Sequence, residues 1–262
     1  KTAKKPQRRI ETNFLLRWKL QSYGYDNLYP QNIMKITGAS GTAVLCLNRY
    51  EKFVEGYGFD NEELSRMKVS RKGSTMDDLL RSVAGDLTRF GGFALHCNYN
   101  VFGKVTEVNI IPFEQCRLEE CDDSGYVSHI LVHPDWKGEK TRNGKRVWLN
   151  EENIIKFDVF NPDPSVVMQQ IERAGGIESY RGQVLWVSMD GTFEYPTPIY
   201  DAVVTEISTD EGLGNIKYRN VRNNFLISCM LIAKKGAPKM NEDGEEEQRQ
   251  MISDEDLMQF QG

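Results

Sequence analysis

The sequence has no run of 18 apolar residues, which excludes a transmembrane helix. It also has neither the Gly-Lys-Ser/Thr end of a phosphate-binding loop nor the Gly-x-Ser-x-Gly turn of a serine hydrolase. The first residues, KTAKKPQRRI, contain no Met and no apolar segment, so they do not form a signal peptide. We expect a fragment of a longer protein, without enzymatic signatures and without a membrane anchor.

The sequence has fewer basic than acidic residues. The 33 Lys and Arg residues are outnumbered by 38 Asp and Glu residues, which gives a net charge of -5. Proteins that coat nucleic acid derive most of their affinity from neutralised phosphates, so this class is disfavoured. The 262 residues, 39% of them hydrophobic and 10% aromatic, suffice for one large folded domain or two small ones.

The five cysteines include no Cys-x-x-Cys pair, and the chain lacks an Asn-x-Ser/Thr sequon. This pattern is typical of buried thiols in a reducing, intracellular compartment. His129 and His133 alternate within a strand pattern about 13 Å apart, too far to share a metal ion. We therefore expect one hydrogen-bonded and one exposed histidine, and neither a metal nor another cofactor.

Two helices are predicted in the first part of the chain. The first covers residues 37–55 and ends at Gly56. The second has a capping box in which Ser74 pairs with Asp77, an apolar period that runs to Phe90, and a left-handed stop at Gly91.

Alternating apolar residues then predict an antiparallel meander, without βαβ units, between residues 93 and 160. It includes a hairpin at Asn143-Gly144. A short helix capped by Asp163 follows, with Pro164 in its first turn. The predicted fold class is therefore α+β, with an antiparallel sheet and flanking helices.

The segment from Ile199 to Asn224 predicts a long helix of about 39 Å. Its apolar stripe is thin, so we expect the helix to pack along neighbours, including copies of itself. The predicted interface residues are Ile199, Val203, Ile207, Ile216 and Val221.

Basic residues cluster late in this helix, at Lys217, Arg219 and Arg222, whereas acidic residues occupy its first half. Three explanations stay open. The order complements the helix dipole; it could form ion pairs between neighbouring subunits; or it could place basic groups on the wall of a DNA channel.

A metal-dependent nuclease is the enzymatic alternative. Such an enzyme needs carboxylates that converge on Mg²⁺ and a lysine near the attacked phosphate. Asp135-Trp136-Lys137 supplies an Asp-x-Lys tripeptide, and upstream carboxylates are present at Glu119, Glu120, Asp122 and Asp123. The tripeptide also fits a loop between hairpins.

Two stretches resemble the portal protein of tailed bacteriophages and prophages. The first runs from Leu79 to Trp136 and contains a helix, the step GGFAL, a hairpin and a strand that leads to an arginine in EQCRLEE. The second runs from Gln183 to Ile227 and contains a strand, the connector EYPTP, the long helix and NNFL. Together they resemble the transition from wing to stem to clip in that family.

The resemblance implies a non-enzymatic subunit of a ring of about twelve copies at the capsid vertex. Residues 1–195 would form the wing, 196–224 a stem helix, and 225–262 a partial clip within which the chain is truncated. The implied partners are further copies of the chain, double-stranded DNA in the channel, the packaging terminase, a head–tail adaptor and the capsid protein. The implied location is the virion, and the host cytoplasm during assembly. Another adaptor protein of phages or mobile elements is the structural alternative.

Overall fold

A computed structural model describes residues 19–137, 141–142, 145–146, 153–191 and 193–222. These residues form an α+β fold, as predicted. The helices are α1 (Tyr29–Ala39), α2 (Gly41–Glu55), α3 (Glu62–Arg66), α4 (Met76–Phe90), α5 (Pro164–Arg173) and α6 (Val204–Arg222). The strands are β1 (Gly92–Tyr99), β2 (Val105–Ile111), β3 (Cys116–Leu118), β4 (His129–Val132), β5 (Thr141–Arg142), β6 (Lys145–Arg146), β7 (Ile155–Val159) and β8 (Gln183–Ser188). Among the helices described here, none has both the length and the apolar content needed to cross a bilayer.

Six of the strands form one sheet in the order β2-β1-β8-β7-β4-β3. All neighbours are antiparallel except β7 and β8, which run parallel. Parallel neighbours need a crossover connection, and α5 provides it between these two strands. Between residues 93 and 160 the described strands pair antiparallel and include no βαβ unit, as predicted, but the meander of consecutive strands is wrong, because β2 and β3 lie at opposite edges and β8 lies between β1 and β7.

The helix predicted over residues 37–55 is in fact two helices that meet at Ser40. This residue has an extended backbone, and its Oγ caps α2 by accepting a hydrogen bond from the Ala43 N–H at 3.1 Å. Helix α1 begins eight positions before the predicted start, with Pro30 in its first turn and Ile33 buried. The end of α2 at Gly56 agrees with the prediction.

The capping box of α4 lies one residue later than predicted. Thr75 caps the helix and pairs with Asp78. Ser74 is not the cap, and its carbonyl instead accepts from the Val69 N–H. Asp77 turns away from the helix start and accepts hydrogen bonds from Ser65 Oγ and the Phe59 N–H.

Buried aromatic rings fill the main core. Tyr23 stacks on Tyr195 with ring centroids 4.1 Å apart, and Phe113 stacks on Trp186 at 4.6 Å. Phe90, from the end of α4, stacks on Phe113 at 5.4 Å. These rings therefore pack the end of α4 and strand β8 against the segments that contain Tyr23, Phe113 and Tyr195.

Two of the cysteines do not fit the prediction of buried thiols. Cys97 and Cys116 are buried, and burial raises the pKa of both thiols. Cys46 and Cys121 are exposed. Cys46 lies on the outer side of α2, and Cys121 lies in the loop after β3, where the sheet provides no cover.

Other predictions fall partly or wholly outside the described residues. Strands β5 and β6 pair as the predicted hairpin requires, but the Asn143-Gly144 turn itself lies outside. The charged termini, Cys229 and the segment from residue 223 onwards also lie outside.

Gly91 and Gly92 lie where the connector to the last helix crosses the end of α4. Gly91 has a φ of 78°, which confirms the predicted left-handed stop. A Cβ on Gly91 would lie 2.8 Å from the carbonyl oxygen of Thr197, and one on Gly92 would lie 2.8 Å from a ring carbon of Pro196. Any residue other than glycine would therefore clash with the connector at positions 91 and 92.

Gly91→Ala should destabilise the fold more than Gly125→Ala. Gly125 has nearly the same φ, 81°, but open space around its Cβ position. The control should cost about 1–2 kcal/mol for the left-handed backbone alone. Gly91→Ala should cost a further 1–3 kcal/mol, because the Thr197 carbonyl must move. Equal free energies of unfolding in denaturant titrations would contradict the proposed close contact.

Candidate subunit interface

The connector before the last helix is fixed inside the core by Tyr195. Its side chain is buried, and its hydroxyl oxygen accepts from the Leu118 N–H at 2.8 Å and donates to the Gln21 carbonyl at 2.6 Å. The Tyr23 hydroxyl donates to the carbonyl of Pro196 at 2.7 Å. The connector thus joins the N-terminal segment, β3 and β8 in one hydrogen-bonded unit.

Arg117 on β3 is buried beneath this connector, although the described structure places no carboxylate against it. Its guanidinium donates to the Asn27 side chain and carbonyl, both at 2.6 Å, and to the Cys116 carbonyl at 2.6 Å. Its Cζ lies 5.1 Å from the ring centroid of Trp136. Burial lowers the pKa of Arg117, but arginine keeps its charge in proteins. Neutral acceptors and an aromatic ring therefore balance a buried cation.

Helix α6 begins at Val204, later than the predicted Ile199, and the structure describes it as far as Arg222. Its 19 residues correspond to about 28 Å. The residues in front of it form a turn and a 3-10 segment, and the Tyr200 hydroxyl donates to the Arg89 carbonyl at the end of α4.

One side of α6 is attached to the first two helices. Val204 is buried, and Asp201, just ahead of the helix, accepts from the Tyr29 hydroxyl at 2.6 Å. Further along, Asp210 accepts from Ser40 Oγ at 2.6 Å. Ser40 therefore both caps α2 and contacts α6.

The predicted interface residues are mostly exposed. Exposure is 71% for Ile199, 47% for Val203, 57% for Ile216 and 65% for Val221. Ile207 is half-buried. Ile207 and Ile216 are nine positions apart, about two and a half turns, so they face opposite sides of the helix. The apolar residues therefore do not form one thin stripe, and α6 presents them on more than one side.

The basic residues Lys217, Arg219 and Arg222 are exposed and form no ion pair with any residue that the structure describes. In the acidic half, Asp201 and Asp210 accept hydrogen bonds from hydroxyl groups of the same chain. A match to the helix dipole therefore stays one of the three open explanations for the order of charge. Ion pairs between subunits and a channel wall stay predictions.

The Asp-x-Lys tripeptide of the nuclease alternative forms a turn. Asp135 Oδ1 accepts from the Lys137 N–H at 3.1 Å, and the Asp135 N–H donates to Nδ1 of His133. Trp136 is buried and donates from Nε1 to the Gln115 carbonyl at 2.8 Å. His133 is buried, so the prediction of one exposed histidine is wrong: the tripeptide packs over it.

Two of the four upstream carboxylates, Glu119 and Asp122, have structural partners as well. Glu119 contacts Nδ1 of His129 at 2.5 Å and Nζ of Lys156 at 3.5 Å. Asp122 accepts from the backbone of Ser124 and Tyr126 and thereby closes the loop after β3. Within the described ranges, no three His, Cys, Asp or Glu side chains are arranged to hold a metal ion.

A cleft of about 370 Å³ lies beside α4 and contains a titratable group that sequence reasoning missed. Its lining includes Asp86, Glu114, Arg81 and Arg89. Burial, reinforced by the charge of Glu114, raises the pKa of Asp86 to about 7. A low local dielectric disfavours the charged form, so folding favours the protonated acid.

No protein-family model matches the chain, and no curated protein matches it. The chain is similar to solved chains of a gene transfer agent (GTA) particle. For the virion of the native particle, identity is 9% over 88% of this chain and 52% of that chain, with a TM-score of 0.46. For the neck of the empty particle, computed with C6 symmetry, identity is 9% over 88% of this chain and 53% of that chain, with a TM-score of 0.45. For the neck of the native particle, computed with C12 symmetry, identity is 8% over 88% of this chain and 55% of that chain, with a TM-score of 0.43.

The chain therefore spans about half the length of the solved chains it matches. At these identities, and with TM-scores below 0.5, the likeness carries no functional argument.

Tyr195→Phe should destabilise the protein by about 1–3 kcal/mol, because it leaves a buried N–H and a buried carbonyl without their shared partner. Tyr57→Phe is the matched control, since Tyr57 is exposed and should change stability by less than about 0.5 kcal/mol. Thermal or denaturant unfolding measures both. A Tyr195→Phe protein as stable as the control would show that the hydroxyl does not fix the connector.

Asp86→Asn should stabilise the protein at neutral pH but not in acid. The unfolded acid loses its proton near pH 4, whereas the folded acid holds it until about pH 7. The unsubstituted protein therefore loses stability as pH rises between these values. The shift of about three units sets an upper bound of roughly 4 kcal/mol, and partial contact with solvent reduces the expected gain to about 1–2 kcal/mol. A gain that does not change with pH would contradict this origin.

Proposed function

We propose that the chain is a structural subunit of a portal ring, the channel at the capsid vertex through which DNA is packaged and ejected. The observation that carries the proposal is the exposure of Ile199, Val203, Ile216 and Val221 along and just ahead of α6. The resemblance of residues 79–136 and 183–227 to portal proteins agrees with it.

Energetics favour burial of these residues between subunits. Each large aliphatic side chain that leaves water gains about 1.5–3 kcal/mol. The four side chains are 47–71% exposed, so their complete burial would give about 4–7 kcal/mol, at the lower end of the cost of about 4–15 kcal/mol for associating two proteins. A single contact is therefore marginal. A closed ring gives every subunit two neighbours through heterologous contacts and removes the exposed ends.

In this proposal residues 1–195 form the wing, 196–224 the first stem helix and 225–262 part of the clip. Tyr195 is buried in the core, and Pro196 and Pro198 after it are buried as well, so contacts with the core continue a few residues past the proposed boundary. Stem residues are Ile199, Val203, Ile207, Ile216 and Val221.

The channel would carry double-stranded DNA without sequence specificity. Lys217, Arg219 and Arg222 are candidates for its wall or for ion pairs between subunits. The net charge of -5 agrees with a channel, because tight phosphate contacts would retard sliding DNA. The packaging terminase, a head–tail adaptor and the capsid protein are the proposed partners, in the virion and in the host cytoplasm during assembly. A ring of about twelve subunits is the expectation of the family resemblance.

The double substitution Ile199→Asp and Ile216→Asp tests the stem interface. Both side chains are exposed, so the variant should fold, and its circular dichroism and unfolding midpoint should match those of the unsubstituted chain. Phe102→Asp, in the exposed turn between β1 and β2, is the matched control. Mass photometry and negative-stain microscopy should show rings for the unsubstituted chain and the control, and monomers for the double variant.

Two results would contradict the proposal. One is a ring that still forms from the double variant. The other is an unsubstituted chain that remains monomeric as its concentration is raised.

A further inference from the structure

Helix α2 carries an exposed face that nothing in the described chain covers. Ala43 is the one buried residue of this helix. On the opposite side, Leu45 is 68% and Phe53 83% exposed. Arg49 and Lys52 lie between them, and Arg49 forms no ion pair with any described residue. We call Leu45, Arg49, Lys52 and Phe53 the α2 face.

Helix α6 carries a face that is acidic near its start, at Glu206, while the exposed Lys217 lies on the same side one turn after Leu213. Glu206, Leu213 and Ile216 point away from the side that holds the buried Val204, and all three are exposed. Glu206, like Arg49, lacks an ion-pair partner in the described part of the chain. We call these three residues the α6 face.

The spacing of the two faces matches. Leu45 and Lys52 are seven positions apart on α2, and Glu206 and Leu213 are seven positions apart on α6. Seven positions correspond to about two turns, or roughly 10.5 Å. In an antiparallel contact Leu45 would face Leu213 at one end. Arg49 would face Glu206 at the other end, next to Lys52, which is paired with Glu55 of its own helix at 2.6 Å.

We propose that the α2 face of one subunit binds the α6 face of a neighbouring copy. This inference rests on the proposed ring and names the surface that receives the stem helix.

The charge pattern favours this arrangement over a two-fold dimer. An antiparallel contact between two α2 faces would place Arg49 against Arg49, and one between two α6 faces would place Glu206 against Leu213, so that Glu206 would gain no basic partner. Like charges in contact oppose association. Only the unlike faces are complementary, and contacts between unlike faces continue from copy to copy until they close a ring or extend a filament.

The contact between Ser40 and Asp210 supports the same arrangement. It fixes the start of α2 against α6 within one chain. Each subunit therefore presents both faces from one body, so that one face serves each neighbour.

Charge reversal tests the pairing in the full chain. Arg49→Glu and Glu206→Arg should each reduce the association constant about tenfold, and the double variant should recover most of this loss. Arg66→Glu is the matched control, because Arg66 is an exposed arginine on α3 and lies on neither face. Sedimentation velocity measures the association. Additive losses in the double variant would overturn the pairing.

Cross-linking tests the contact itself. Cys46 and Cys121, which are exposed, are first replaced by Ser. Leu45→Cys in one tagged chain and Leu213→Cys in a chain with a second tag are then mixed and oxidised. A disulfide between the two tagged chains is expected, because close helix packing brings facing Cβ atoms within disulfide range.

A chain with Phe102→Cys should not form this bond with Leu213→Cys. Oligomers that form without the Leu45–Leu213 bond would overturn the inference but leave the ring intact. Chains that do not associate at all would overturn the ring and the inference together.

Discussion

The hydroxyl of Tyr195 determines how the last helix leaves the fold. It joins the backbone of Leu118 on β3 to that of Gln21, while the ring stacks on Tyr23. The connector can lie this deep only because Gly91 and Gly92 leave room for Thr197 and Pro196. Three segments far apart in sequence are therefore placed by one side chain. Together with the contacts of Tyr29 and Ser40, it sets the direction of α6 relative to the sheet.

Much of the local structure can be predicted from neighbouring residues. Gly91 ends α4, Asp163 and Pro164 begin α5, and the strand boundaries follow the alternation of apolar residues. Long-range pairing could not be predicted in this way. The parallel contact of β7 with β8 and the choice of Thr75 over Ser74 both depend on partners elsewhere in the chain. The break between α1 and α2 at Ser40 likewise depends on tertiary contacts. Pro30 is a local signal only for the start of α1.

For the candidate site, apolar patterning identified the residues of α6 but not their arrangement. Ile207 turns toward the domain and Ile216 away from it, since α6 packs through the side of Val204. The charged Asp135 resembled a catalytic residue, yet its carboxylate closes a turn. The buried Arg117 carried no local signal of its role, because two of its hydrogen bonds go to Asn27, 90 positions away in the sequence.

Ser40 links two helices through a single oxygen atom, which caps α2 and also contacts Asp210. Tilting α6 therefore either carries the first turn of α2 with it or leaves that turn uncapped, at a cost of about 1 kcal/mol. In a closed ring whose adjacent copies meet through these two helices, a displacement imposed on one subunit would pass to the next. A load on one stem helix would then be shared around the circumference.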